Sequence, residues 1–269
     1  MKHGVRLTLA YDGTDFAGFV KQVDQRTVQG VLCEAAERIC GHPVTVRAAS
    51  RTDSGVHALA QVAAFATSRE LSPRRWQLAL NRYLPPDVSV REAFACDPNY
   101  APRFDAQDKT YRYLFHLGEA RDPVLRSFAW HLGPLIRRRK PGLDLAAMHQ
   151  TCALLEGTHD FKAFRGSADQ REITIRTLLR VQLLPGFNSN PELLALEVHG
   201  TAFMLNMVRI IAGTLIDVGR GQLRTEVVSS LLSEEGDRRS GGMTAPAHGL
   251  TLVAMTLGGL AAKASRSTP

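Results

Sequence analysis

The 269-residue chain is poor in the residues that usually announce cofactor chemistry. Its four cysteines, Cys33, Cys40, Cys96 and Cys152, include no C-x-x-C pair, and no histidine cluster supplies the missing ligands of a zinc site. They read as buried thiols of a reducing compartment. Aromatic residues are sparse, at 7%. No uncharged apolar run is long enough to span a bilayer, and Met1-Lys2-His3-Gly4 leads into a strand-like segment without a signal-peptide core. The expectation is a soluble cytoplasmic protein with no membrane partner. Acidic residues are also in deficit: 33 Lys and Arg against 26 Asp and Glu leave +7, with a pI near 9.5. A moderate basic excess favours a polyanionic partner without establishing one. With 22% charged and 44% hydrophobic residues, large-scale disorder is not expected.

Periodicity gives an order of elements. Val5 to Tyr11 alternates as a strand, and Asp12-Gly13 turns it. Thr27 precedes a helical segment with apolar positions 28, 31, 32, 35, 36 and 39, stopped by Gly41 and Pro43. Val44 to Ala49 and Gln61 to Thr67 read as strands separated by a polar loop. Ser72-Pro73 starts a second helix that Pro85-Pro86 ends, and Val88 to Phe94 is again strand-like. This is the β-α-β-β-α-β, or ferredoxin-like, order. The order recurs with strands at Thr110 to His116, Leu178 to Leu184, Leu193 to Val198 and Leu250 to Leu257, and helices at Asp144 to Glu156 and Ala202 to Val218. The expected fold is α+β: two ferredoxin-like units, 1–107 and 108–257, with antiparallel sheets and a cleft between them, then a disordered tail, 258–269.

The segment most suggestive of chemistry is RAASRTDSGVHA, in which Asp53 lies two residues after Arg51 in a polar loop containing Gly55. Spacing alone makes Asp53 a turn-capping residue. Arg209 is different. It interrupts the apolar run MVRIIAG, where an unpaired guanidinium would be costly, so a carboxylate partner is expected. The run Arg137-Arg138-Arg139-Lys140 reads equally as a solvated loop or as a phosphate track.

The loop resembles the signature G-R-T-D-A-G-V-H-A of the bacterial TruA-type tRNA pseudouridine synthases, with Ser50 and Ser54 replacing Gly and Ala. YDGTDFAGFVKQ is similar to that family's Y-D-G-x-x-[FY]-x-G-[WF]-x-x-Q, with Phe19 and Val20 in place of Trp and Gln. ALNRYLPPDVSV, PRFDAQDKTYRY, DPVLRSFAWHL, EGTHDFKAF, FMLNMVRIIAGTLIDVG and APAHGLTL follow in family order, from about Val5 to Met255.

The resemblance implies that uridine in tRNA is isomerised to pseudouridine on the 3′ side of the anticodon stem-loop, by a homodimer. It makes Asp53 the catalytic carboxylate, Tyr111 the ring that stacks on the base, Leu250 the apolar residue beneath it and Arg209 the partner of Asp53. Arg51 would replace the flipped base, with Lys21, Gln22 and Arg103 as further RNA contacts. Asn206 stands where the family often has His. Breaking N1–C1′ and joining C5 to C1′ neither oxidises nor hydrolyses anything, so no cofactor or metal is expected. Two alternatives stay open: a synthase of the same fold acting on other RNA uridines, and a non-catalytic RNA-binding protein. A hydrolase releasing uracil is a weaker third.

Overall fold

The computed structural model describes residues 2–136 and 142–259. The basic run at 137–140, and the expected tail beyond residue 259, lie outside them. The chain divides into two compact units. The first runs to Asp108 and resumes at Leu252; the second is Lys109–Thr251.

The first unit begins with β1 (His3–Tyr11), whose Val5, Leu7, Leu9 and Tyr11 are buried on one face. Helix α1 (Val28–Cys40) follows. Thr27 accepts the Gly30 amide at its start, and left-handed Gly41 (φ 74°) returns its N–H to Glu37 at its end. Strand β2 is only Arg47–Ala48, shorter than Val44 to Ala49. Two groups on α1 take the missing ladder bonds: the Val44 amide donates to Glu37 Oε1 at 3.1 Å, and Gln29 Nε2 donates to Val46 O at 2.8 Å. Strand β3 (His57–Thr67) begins earlier than Gln61 because residues from Ala58 onward pair with β1. Helix α2 (Pro73–Tyr83) carries the expected Ser72 cap and N-terminal proline. Strand β4 (Val88–Cys96) and one-turn helix α3 (Pro102–Asp105) complete the segment. The sheet order is β4-β1-β3, antiparallel, with β2 beside β3. Phe65 and Trp76 meet edge to face at 5.3 Å between this sheet and α2.

In the second unit β5 (Ala106–His116), counted from Lys109, precedes β6 (Trp130–His131), one-turn α4 (Gly133–Ile136) and α5 (Leu145–Leu155). A strand absent from the sequence reading, β7 (Gly157–Asp160), follows. Then come β8 (Ile175–Pro185), β9 (Leu193–Gly200), α6 (Met207–Gly219) and α7 (Thr225–Leu231). The sheet order is β5-β9-β8-β7, antiparallel throughout, with β6 parallel to β5. Helix α5 packs on α6, α7 and β8. Strand β10 (Leu250–Leu257) has the expected limits, lies next to β3 and counts with the first unit from Leu252. The architecture is mixed α+β with antiparallel sheets. Among the described residues no helix is long and apolar enough to cross a membrane.

The largest departure is at α6, which starts at Met207 rather than Ala202. Apolar content suggested a helix through 202–206, but Asn206 is left-handed (φ 60°). The Leu205 N–H and C=O are both taken by the 166–169 turn: Asp169 Oδ2 accepts the N–H at 2.9 Å, and the C=O accepts from Gly166 N–H at 2.9 Å. Tertiary hydrogen bonds displaced the helical ones.

Candidate active site

In the first unit Asp53 is half-buried in the loop between β2 and β3, and Arg51 beside it is exposed. The loop backbone is sewn to residues 13–19. Phe19 N–H donates to Thr52 O at 3.1 Å; Gly55 N–H and Ser54 Oγ donate to Phe16 O at 3.3 and 3.1 Å. Two glycines permit this approach. A Cβ on Gly18 (φ +100°) would stand 2.9 Å from Thr52 O, and one on Gly13 would stand 2.1 Å from Val56 O. Underneath, Gln61 Nε2 donates to Tyr11 Oη at 3.4 Å and to Ser50 O at 2.9 Å, while Tyr11 Oη and Thr52 Oγ1 share a 2.7 Å hydrogen bond. These polar groups are buried and mutually satisfied, which fixes the loop without a net charge. Buried His57 accepts the Gly13 amide at Nδ1, 3.0 Å away.

The 12–27 segment is itself anchored. Arg26 grips Asp87 with both terminal nitrogens, at 2.8 and 2.9 Å, and lies 4.0 Å above the Phe16 ring. Phe19 is 1% exposed and sits near Tyr11, so its replacement of Trp alters the core and not a surface contact. Lys21 and Gln22 are exposed at the segment's tip. The Lys21 amide donates to Gln29 Oε1, and the Gln22 side chain folds back onto Ala17 O. Arg103 projects from α3 beside Phe104, which is 80% exposed.

In the second unit Tyr111 and Tyr113 are two apart on β5 and therefore share a face. Tyr111 is 6% exposed and meets Phe203 edge to face at 5.1 Å. Tyr113 donates to Pro246 O at 2.7 Å; burial holds its phenol well above the ordinary range, so it stays a donor. Arg209, on the first turn of α6, donates from Nε to Ala245 O at 2.8 Å and from Nη1 to Asn206 Oδ1 at 2.7 Å. Ala245 N–H returns a bond to Arg209 O at 3.1 Å. The 245–249 turn is thus fastened by Arg209 and Tyr113 immediately before Leu250, which is 5% exposed at the start of β10. Asn206 suits its position twice over: Asn tolerates the left-handed conformation, and its short amide reaches the guanidinium.

Asp53, Arg51, Lys21, Gln22 and Arg103 therefore lie in the first unit, and Tyr111, Arg209 and residue 250 in the second. Sequence reasoning assigned no role to Tyr11, Thr52, Gln61 or Phe203. Tyr11 and Thr52 fall inside quoted motifs, but only the fold shows that their hydroxyls meet. Among the described residues no group of three or more His, Cys, Asp or Glu is placed to hold a metal ion. The cysteines are free, and burial pushes Cys96 up to about 11 and Cys152 to about 12, so these thiols stay protonated at neutral pH.

Comparison with known proteins agrees with the motifs. A family model described as tRNA pseudouridine synthase matches residues 8–105 and 151–256. The chain is 42% identical over 249 residues to tRNA pseudouridine synthase A of Pelobacter propionicus, covering 93% of this chain and 97% of that protein. It is 41% identical over 248 residues to the protein of that name from Geobacter sulfurreducens, covering 92% and 97%. For the one from Solidesulfovibrio magneticus the identity is 44% over 257 residues, covering 94% and 91%.

Proposed function

The chain belongs to the tRNA pseudouridine synthase family, and from that premise we propose that it isomerises uridine to pseudouridine in the anticodon stem-loop of tRNA, with Asp53 as the catalytic carboxylate. The observation that carries the reading is the loop itself. Asp53 is the half-buried carboxylate of an R-T-D-x-G-V-H segment whose flanking peptides, at Thr52 and at Ser54-Gly55, are pinned to residues 16–19. Such pinning fixes a carboxylate's position before substrate arrives, which positional catalysis requires.

The remaining roles follow from the chemistry. The target uridine leaves the stack at a cost of a few kcal/mol, and cationic and aromatic groups offset it. Arg51 occupies the vacated position; Lys21, Gln22 and Arg103, all exposed, contact the RNA. Tyr111 and Leu250 hold the detached base in an apolar slot that excludes water. Arg209 supplies the positive charge of the proposed set of site residues. The two-unit ferredoxin-like description, the homodimer and the cytoplasmic location are part of the same proposal.

The test is pseudouridine formation in an unmodified tRNA transcript, mapped by carbodiimide labelling and primer extension, beside Asp53→Ala. The expected result is signal on the 3′ side of the anticodon arm that drops below roughly a thousandth in the variant while tRNA binding persists. Signal confined to other uridines would replace the substrate assignment. Undiminished turnover by Asp53→Ala would overturn the catalytic one.

A further inference from the structure

The 165–171 turn of the second unit takes no part in the reading above, yet its polar groups converge on one carboxylate. The Asp169 side chain is 4% exposed. Its oxygens accept from Arg171 Nε at 2.8 and 3.0 Å, from the Arg171 amide at 3.1 Å, from the Leu205 amide at 2.9 Å, and from Arg171 Nη2. The same guanidinium donates through Nη1 to Phe203 O at 3.2 Å, and Arg165 Nη1 holds Arg171 O at 2.6 Å. With Gly166 N–H on Leu205 O, the 203–205 backbone is gripped at three points by a segment more than thirty residues earlier.

That grip leads to two residues of the site. Residues 201–206 belong to no helix or strand, so they have little regular structure of their own to fix them. Phe203 presents its ring to Tyr111, and Asn206 presents its carbonyl oxygen to Arg209. We propose that Asp169 and Arg171 form a positioning pair for the isomerisation, setting the 203–206 turn so that Phe203 orients Tyr111 and Asn206 orients Arg209. The inference rests on the assignment of Tyr111 and Arg209 to the site. A neutral residue at 169 would leave the Arg171 charge unbalanced near Arg176, whose pKa is depressed by burial and by Arg171.

The experiment compares wild type, Asp169→Asn and Arg171→Gln in steady-state pseudouridine formation on a tRNA transcript, with tRNA binding and thermal melts measured separately. For both variants kcat should fall roughly tenfold to a hundredfold, while KM and the tRNA Kd stay within about twofold. Combining Asp169→Asn with Asn206→Ala should cost no more than the worse single change, because both act through one contact. Wild-type kcat in either folded variant overturns the pair; so do equal losses in kcat and binding, or full additivity. Should Asp169→Asn fail to fold, Arg171→Gln still decides, since that side chain is 48% exposed. A wild type that makes no pseudouridine defeats the functional reading, and the inference with it. Active wild type with fully active variants defeats the pair alone.

Discussion

The Asp53 loop and the 201–206 stretch that leads into Arg209 are both irregular and present residues of the proposed site, but they are held in different ways. The first is fixed by neutral groups: backbone amides of Phe19 and Gly55, and the buried hydroxyl–amide chain through Tyr11, Thr52 and Gln61. The second is fixed by charge, with Asp169 and Arg171 gripping 203–205 and Arg209 fastening Asn206 and Ala245. Neutral clamps depend on close packing and are sensitive to volume. Ionic clamps depend on protonation state and geometry, and tolerate space better than they tolerate loss of charge.

The contrast is sharpest in turnover. Arg209→Ala removes the guanidinium that organises Asn206 and Ala245, and kcat should fall by roughly a hundredfold or more while tRNA binding changes little. Equal losses in kcat and Kd would make this arginine a structural or RNA-contacting residue. A smaller effect is expected in the neutral half. Gly18→Ala places a methyl 2.9 Å from Thr52 O at φ +100°, and should destabilise the protein by about 1–3 kcal/mol in denaturant melts. No change in midpoint would show that the 13–19 segment does not restrain the loop.

The smallest effect separates the two clamps by pH. The Arg171 side chain, and after it the Leu205 and Arg171 amides, outweigh burial and hold the Asp169 carboxyl well below the ordinary carboxylate range. A depressed folded pKa means that the stabilisation is complete above the unfolded value of about 4 and is lost as pH falls below it. Wild type should therefore lose thermal stability from about pH 5 downward more steeply than Asp169→Asn, and the two slopes should coincide above that. Parallel acid limbs would remove the ionic account of this segment.

Much of the first unit was legible. Thr27, Gly41, Ser72 and Pro73 act locally, so their caps can be read from neighbouring residues. Asp53 could be put forward from sequence because its motif is contiguous. The shortened β2 was not legible, because Glu37 and Gln29 of α1 replace ladder bonds with side-chain ones. Nor was β7, whose GTHD sequence has no apolar alternation and exists as a strand because β8 offers it an edge. The partners of Arg209 were half legible. The apolar run around it pointed to a carboxylate partner, whereas its bonds to Asn206 Oδ1 and Ala245 O depend on a left-handed residue and a distant turn.

Sequence by itself determined the periodic elements, their caps, the family motifs and the residues with chemistry to offer, because these follow from interactions a few positions apart. Only tertiary structure decided that α6 begins at Met207, that Phe19 lies in the core, and that a turn at 165–171 holds the residues beside Tyr111 and Arg209. Those outcomes turn on buried amides and charges finding partners far away in the chain. The cost of leaving such groups unsatisfied exceeds any local helix or strand preference.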